Sequence, residues 1–234
     1  MKKDQSPRIP QRDKLKDSLN IRELNWTDKQ RQYINILLHK DTKIVFLSGP
    51  AGSGKTMLAI YASLKLLSEK RISDILYIRS AVESADSKIG YLPGNLDQKM
   101  EYYNLPLLDK LEELLPRAEL DKISRERRVT SFPINFTRGL NWNSKCISLD
   151  EAQNSSVKEI ITVLTRLGEF SKCFVLADPS QTDISNGKTG GFDKLYSVFN
   201  DQESRNQGIY CLSLGAEDIV RSGIVKYLVS KLTT

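Results

Sequence analysis

The stretch KIVFLSGPAGSGKT, residues 43–56, predicts the fold of this chain most strongly. Its first part, residues 43–48, is a continuous apolar run of the kind that forms a buried parallel strand. Its second part, residues 49–56, satisfies the pattern G-x-x-x-x-G-K-[ST] of a phosphate-binding loop. A strand is predicted before this loop and a helix is predicted to begin at Lys55, which is the context that the pattern requires.

The composition of the loop explains how it would hold a phosphate. Glycines let the backbone curl so that successive N–H groups face one anion, and the helix start adds its positive dipole end. Lys55 is predicted to reach the β- and γ-phosphates, and the Thr56 hydroxyl is predicted to ligate Mg²⁺. The predicted nucleotide contacts in this stretch are Gly49, Pro50, Ala51, Gly52, Ser53, Gly54, Lys55, Thr56 and Met57.

Strands and helices alternate along most of the chain. The predicted strands are 43–48, 74–80, 145–150, 172–177 and 209–214. The predicted helices are 24–39, 55–69, 156–167, 191–199 and 216–231. This alternation predicts an α/β fold with a doubly wound, mainly parallel sheet. Residues 81–141 interrupt it, and we expect a helical and irregular insertion there that includes a helix at 96–115.

Two adjacent acids, Asp150 and Glu151, come at the end of the predicted strand 145–150. Ligands of parallel sheets sit at the carboxyl ends of the strands, where these acids would meet the phosphate loop. Asp150 is predicted to hold Mg²⁺, and Glu151 to orient and polarise a water for attack on the γ-phosphate. The alternative is a helix start with an acid in its first turn. Because a kinase has no use for an activated water, Glu151 favours hydrolysis over phosphoryl transfer to a metabolite.

The composition excludes several classes of protein. The 234 residues contain no apolar run long enough to cross a bilayer and no signal-peptide pattern, so we expect a cytoplasmic protein without membrane association. Three cysteines without C-x-x-C spacing and one histidine predict neither a disulfide framework nor a zinc site. The net charge of +6 suits polyanionic partners without requiring them. Residues 1–20 are polar and basic and are predicted to form a flexible arm.

Six motifs in order resemble the PhoH family of P-loop NTPases, which is related to the ATPase core of superfamily-one helicases. They read FLSGPAGSGKT, IRSAVESADSKIGYLPGN, TRGLNW, ISLDEAQN, ADPSQTD and EDIVRSGIVKYL, and the resemblance covers about residues 24–231. The pairing of DEAQN with ADPSQTD is more specific than the phosphate loop alone. The resemblance implies a RecA-like or helicase-like three-layer fold, with residues 21–234 forming a single P-loop ATPase domain.

The resemblance also implies roles for residues outside the loop. Asp178 and Gln181 match the motif in which a polar side chain senses the γ-phosphate, and Gln30 matches the glutamine that recognises adenine. Arg221 matches the late arginine of the family, a candidate arginine finger that a neighbouring subunit can supply. On residue chemistry alone, Gln30 fits an exposed helical position equally well, and Arg221 fits a helix surface better.

Two departures from the family pattern concern the 81–141 region and its flank. Arg79 and Arg138 match family positions near the nucleotide or a nucleic-acid path. Ser80 stands where the family commonly has proline, and Leu140 stands where it commonly has a second arginine. The detailed prediction for this region is correspondingly less specific than that for the phosphate loop.

The motifs and the resemblance lead to one functional expectation and one rival. We expect a Mg²⁺-dependent ATPase with ATP as its ligand, acting on RNA or single-stranded nucleic acid. A finger supplied in trans would require a homo-oligomer, such as a hexameric ring. The rival is an ATP-dependent assembly switch that acts on protein partners without nucleic acid.

Overall fold

A computed structural model describes residues 13–80, 96–137, 141–181 and 190–220 of the chain. The predictions for Arg138, Leu140, Arg221 and the loop at 81–95 lie outside the described residues. The same holds for the first part of the predicted arm and for the predicted last helix from residue 221 onward.

One sheet of six parallel strands organises the described residues. The strands are β1 Ile44–Ser48, β2 Asp74–Arg79, β3 Val129–Pro133, β4 Lys145–Asp150, β5 Lys172–Ala177 and β6 Ile209–Ser213. Their order across the sheet is β3-β2-β4-β5-β1-β6, and every neighbouring pair is parallel. The predicted α/β fold with a parallel sheet is confirmed. The carboxyl ends of all these strands therefore meet at one edge of the sheet.

Helices cover both faces of this sheet and make it the middle layer of three. They are α1 Asp28–Leu38, α2 Lys55–Ser68, α3 Leu96–Leu114, α4 Arg117–Arg125, α5 Val157–Leu164, α6 Gly191–Phe199 and α7 Gln202–Asn206. The first four helices contribute apolar side chains to one core. Helices α5 and α6 contribute to a second core on the opposite face. The predicted three-layer arrangement follows from these two cores.

Alternation along each strand divides its side chains between the two cores. In β1, Val45 and Leu47 belong to the core under α2, whereas Phe46 belongs to the core under α5 and α6. All three are 0% exposed. A strand that is buried on both faces needs apolar residues at every position, which explains the continuous run in the sequence.

Residues 117–133 differ from the irregular insertion expected from the sequence. They form α4, which packs through Leu120 and Ile123, and then β3, which pairs in parallel with β2. An edge strand has one neighbour only and can carry polar residues such as Thr130, so it lacks the apolar run that identifies central strands. Helix α3 lies where the sequence predicted it, with Pro106 inside it.

The second half of the predicted arm is part of the folded domain. Leu15 and Leu19 are 1% and 8% exposed and belong to the core beneath α2. The backbone N–H of Leu19 donates to Oγ of Ser68 at 2.8 Å, and the backbone N–H of Arg22 donates to the carbonyl oxygen of Leu114 at 2.8 Å. The burial of these two leucines attaches an otherwise polar segment to the core.

No helix in the described part of the chain is both long enough and apolar enough to cross a lipid bilayer.

Candidate nucleotide-binding site

The predicted phosphate loop lies between the carboxyl end of β1 and the first turn of α2. Three of its glycines are required by its shape, and one of them, Gly52, has a φ angle of +80°. Gly54 has a φ angle of +91°, in the left-handed region that favours glycine. A Cβ atom at Gly49 would lie 2.9 Å from Cβ of Leu214, so the loop packs too closely against the end of β6 to carry a side chain there. This tight curl at a helix N-terminus is the geometry of an anion-binding loop.

Lys55 lies folded against the loop. Its Nζ donates to the carbonyl oxygen of Gly49 at 2.6 Å and to that of Pro50 at 3.0 Å. Burial lowers the pKa of Lys55, and the carboxylates at the ends of β4 and β5, Asp178 first among them, oppose this effect. The ammonium is thus held between the phosphate loop and the acidic end of the sheet.

The two residues predicted to hold magnesium are in direct contact. Oγ1 of Thr56 donates to Oδ2 of Asp150 at 3.0 Å, although the two residues are 94 positions apart in the chain. The same Oδ2 accepts from the hydroxyl of Tyr77 at 2.6 Å, and Oδ1 accepts from the backbone N–H of Glu151 at 3.0 Å. Burial raises the pKa of Tyr77, so its phenol stays protonated and acts as the donor.

Glu151 occupies a sharp turn directly after β4. Its φ angle is +55°, a left-handed conformation that is uncommon for a residue with a side chain and is concentrated at functional sites. Oε2 accepts from Nε2 of Gln153 at 2.6 Å, and Oε1 lies 3.7 Å from a guanidinium nitrogen of Arg79. A short 3₁₀ helix, Ala152–Asn154, begins directly after Glu151, but the Glu151 side chain makes no capping hydrogen bond to it. The next α-helix, α5, begins at Val157 and is capped by Ser156.

The turn after β5 lies between the phosphate loop and the acid pair, because β5 separates β1 from β4. Asp178 is 4% exposed, and its Oδ1 accepts from the backbone and hydroxyl of Ser180 at 3.1 and 2.6 Å. Among the described residues, its Oδ2 has no hydrogen-bond partner. Gln181 is exposed, and its backbone N–H donates to the carbonyl oxygen of Asp178 at 3.0 Å. The two residues that the resemblance assigned to γ-phosphate sensing therefore lie at the same edge as the loop.

Gln30 is buried behind the loop, 1% exposed, which excludes the exposed helical position. Its Nε2 donates to the carbonyl oxygens of Ser53 at 2.9 Å and Asp218 at 3.1 Å. Its Oε1 accepts from the backbone N–H of Thr27, which caps α1. This cap also explains why α1 begins at Asp28 and not at the predicted residue 24. Gln30 thus joins the start of α1, the phosphate loop and the segment after β6.

A cleft of about 770 Å³ lies beside the loop. This volume is in the range of small-molecule sites, roughly 300–1,000 Å³. The lining residues come from the segment before α1, the loop and α2, helix α3, and the end of the described chain: Leu24, Asn25, Trp26, Gln30, Gly52, Gly54, Lys55, Thr56, Met57, Asp109, Lys110, Glu113 and Val220. A nucleotide bound to the loop would have space for its base and sugar in this cleft.

The residues of the site fit a magnesium nucleotide. Oxygen ligands such as a hydroxyl and a carboxylate suit Mg²⁺, which uses few protein ligands and takes the rest from phosphates and water. Thr56 and Asp150 provide such a pair, already in contact. In the described residues there is no group of three or more His, Cys, Asp and Glu side chains that would indicate another metal.

Three residues of this site were not predicted from the sequence. Tyr77 and Gln153 contact the acid pair, and Asp218 contacts both Gln30 and the N-cap Thr27. Gln153 and Asp218 lie within motifs of the family, and Tyr77 lies in the predicted strand 74–80, but residue type alone did not separate them from their neighbours. A tyrosine in a buried strand, two residues before Arg79 on the same face, is the signal that could have identified Tyr77.

Comparison with known proteins agrees with the motifs. Residues 24–233 match the family described as PhoH-like protein. A PhoH-like protein of Synechocystis sp. is 33% identical over 203 residues, covering 87% of this chain and 60% of the relative. The PhoH-like protein of Bacillus subtilis is 32% identical over 200 residues, and the match covers 86% of this chain and 60% of the relative. The PhoH-like protein of Mycobacterium tuberculosis strain H37Rv is 32% identical over 203 residues, and the match covers 87% of this chain and 56% of the relative. The chain thus spans somewhat more than half the length of these relatives.

Two solved structures that match this chain do so at low sequence identity. A Pif1 helicase from a structure of DNA unwinding at forked dsDNA has a TM-score of 0.38 and 14% identity, covering 82% of this chain and 44% of that one. S. cerevisiae Dbp5 bound to RNA and ADP BeF3 has a TM-score of 0.38 and 13% identity, and the match covers 91% of this chain and 54% of that one.

Proposed function

Because the chain belongs to the PhoH-like protein family, we propose that it binds ATP with Mg²⁺ at the carboxyl edge of its sheet and hydrolyses the bond between the β- and γ-phosphates, which releases ADP and inorganic phosphate. One observation carries this proposal. The hydroxyl of Thr56 contacts the carboxylate of Asp150, and Glu151 follows directly in a strained turn beside them. A metal-side carboxylate and a water-side carboxylate next to a phosphate loop are what hydrolysis of a nucleoside triphosphate needs.

The chain's own groups divide the work of binding. The loop from Gly49 to Thr56 would cradle the phosphates with backbone N–H groups, and Lys55 would exchange its loop carbonyls for phosphate oxygens. Thr56 and Asp150 would hold Mg²⁺, and Gln30 would border the adenine from its position in the cleft wall. When bound at these residues, Mg²⁺ would neutralise part of the negative charge of the phosphates.

Glu151 is the residue that we assign to water activation. A carboxylate can orient a water and accept its proton when it is held within hydrogen-bond reach. Gln153 fixes one carboxylate oxygen and Arg79 lies near the other, so the side chain has a defined direction. Gln181, at the end of the turn after β5, would sense the γ-phosphate, since an amide can contact both phosphate and water.

Replacement of Glu151 by glutamine tests the assignment. Glu151→Gln keeps the size of the side chain and removes its basicity, so we expect the turnover number to fall by about 10²–10⁴-fold while ATP affinity is retained. Glu169→Gln, an exposed acid before β5, serves as the matched control and should keep full turnover. Full ATPase turnover in Glu151→Gln, with ATP bound normally, would show that the assigned mechanism is wrong.

We also propose that hydrolysis is coupled to RNA or single-stranded DNA. The net charge of +6 supports a polyanionic partner. ATPase rates with RNA, ssDNA and dsDNA, each measured at several salt concentrations, test this directly. Stimulation that weakens with salt is expected, because phosphate contacts release counterions. An ATP-dependent change in molecular mass without any response to nucleic acid would favour the assembly switch instead.

The proposed homo-oligomer rests on Arg221, whose family position is that of an arginine finger. A finger acting in trans makes the specific activity rise with protein concentration until assembly is complete. Mass measurement of the assembly together with the ATPase rate tests this, and a monomer that hydrolyses ATP as fast as the assembled form would contradict it. Arg221→Ala mixed with Glu151→Gln should regain activity only if the finger crosses between subunits.

A further inference from the structure

Tyr77 brings a polar group from inside the core to the metal side of the site. Its side chain is 0% exposed and lies in the core beneath α2. Its hydroxyl donates to Oδ2 of Asp150 at 2.6 Å, across 73 positions of the chain. A buried tyrosine that donates to a carboxylate makes a short, charge-assisted hydrogen bond, stronger than a neutral one.

The strand arrangement explains how the two side chains meet. Strands β2 and β4 are neighbours, with Tyr77 opposite Ser148 and Arg79 opposite Asp150. Residues two apart in a strand point to the same face, so Asp150 and Ser148 face α2 together with Tyr77. Tyr77 is level with Ser148, and Asp150 lies two residues further along β4, at its carboxyl end. The length of the tyrosine side chain covers this distance.

Asp150 has donors on both of its oxygens. Oδ2 accepts from Thr56 and from Tyr77, and Oδ1 accepts from the backbone N–H of Glu151. The Thr56 hydroxyl is itself a predicted magnesium ligand, so its hydrogen bond to Asp150 is the one that metal binding would alter. Tyr77 lies within strand β2 and the backbone N–H directly follows β4, and neither group is a predicted magnesium ligand, so these two hydrogen bonds would remain.

We infer that Tyr77 is a positioning residue that keeps the carboxylate of Asp150 directed at the magnesium side of the bound nucleotide. This inference rests on the proposed function, because it concerns the same site. In this role Tyr77 does not contact the nucleotide. The phenol acts on the carboxylate alone, and outer partners of metal-binding groups commonly set metal affinity in this way.

Tyr77→Phe isolates the hydroxyl, because it removes one oxygen and keeps the ring that fills the core. Tyr61→Phe is the matched control. Tyr61 lies in the same core, is 4% exposed, and likewise donates to a carboxylate, that of Glu23, at 2.6 and 2.7 Å to its two oxygens. Each variant loses one hydroxyl that donates to a carboxylate, and of the two tyrosines only Tyr77 contacts Asp150.

The readout is nucleotide binding, followed with a fluorescent ADP analogue at increasing Mg²⁺ concentrations and in EDTA. We expect Tyr77→Phe to raise the Mg²⁺ concentration for half-maximal binding by about tenfold, with affinity in EDTA unchanged. Tyr61→Phe should match the wild type in both conditions. Thermal unfolding without nucleotide reports the stability that each variant loses.

Three outcomes are distinguished: Tyr77 positions Asp150, Tyr77 has a structural role only, or the site does not use Mg²⁺. A raised Mg²⁺ requirement in Tyr77→Phe alone supports the inference. Equal Mg²⁺ requirements in both variants and the wild type overturn it, even if Tyr77→Phe is less stable, because a purely structural phenol changes stability without changing metal dependence. If the wild type itself binds the nucleotide with no response to Mg²⁺, the proposed function fails and this inference fails with it.

Discussion

The side-chain amide of Gln153 donates to Oε2 of Glu151 at 2.6 Å. The same amide accepts, through its carbonyl oxygen, from the backbone N–H of Asp178 at 3.1 Å. Gln153 is 2% exposed, so its own amide is shielded from bulk water. One glutamine therefore connects the proposed water-activating residue with the turn after β5, where γ-phosphate sensing is proposed.

We expect Gln153→Ala to lower the ATPase turnover number by about 10–100-fold, because Glu151 loses the donor that orients it. ATP affinity should change little, since Gln153 does not line the cleft. Steady-state kinetics and nucleotide titration measure the two quantities separately. Gln207→Ala, at an exposed position after α7, is the control. A variant that loses affinity and keeps turnover would contradict the orienting role.

The burial of Leu15 predicts that the segment before α1 stabilises the domain. Leu15→Ala should lower the free energy of unfolding by about 3 kcal/mol, as expected for a leucine that is removed from a core. Leu105→Ala makes the same chemical change at a position that is 50% exposed and should cost less than about 0.5 kcal/mol. Urea denaturation compares the two. Equal effects would mean that residues 13–20 behave as the flexible arm expected from the sequence.

Replacement of Gln30 is expected to have two separable effects, one on stability and one on nucleotide preference. Gln30→Ala leaves the carbonyl oxygens of Ser53 and Asp218 without their donor, which should lower the free energy of unfolding by about 2 kcal/mol. If Gln30 also recognises adenine, the variant should lose preference for ATP over GTP. Competition between the two nucleotides measures this preference. An unchanged preference together with lower stability would restrict Gln30 to its structural role.

The burial of Lys172 leads us to expect that the free energy of unfolding depends on pH. Its Nζ donates to the carbonyl oxygens of His39 and Thr42, and burial, with the charge of Arg71, lowers its pKa from 10.5 to about 8. Between these values the unfolded chain binds more protons than the folded chain, so stability rises with pH in this window.

Lys172→Met removes this contribution. Urea denaturation from pH 7 to pH 10 should show the wild type gaining stability relative to the variant, with a slope of up to about 1.4 kcal/mol per pH unit. Taking the difference between the two proteins cancels titrations that they share, such as those of tyrosines near pH 10. Parallel pH curves would show that Lys172 keeps an ordinary pKa in the folded state.

The phosphate loop and the central strands could be predicted because their signals are local. A run such as 43–48 is apolar at every position when both faces of the sheet are covered, and a loop that curls around an anion needs glycine at fixed spacing. The same holds for Asp150 and Glu151, since strand ends in a parallel sheet share one edge. These features need only the periodicity of the backbone and the conformational range of glycine.

Tertiary structure decided the features that depend on which strands and segments become neighbours. Tyr77 reaches Asp150 only because β2 lies beside β4, and β3 is recognisable as a strand only through its pairing with β2. Likewise, the buried position of Gln30 follows from its contacts with Ser53 and Asp218, 23 and 188 positions away. Partners that are distant in the chain leave no periodic signal, so the hydrogen bonds that Tyr77 and Gln30 make come from the tertiary fold and not from any one motif.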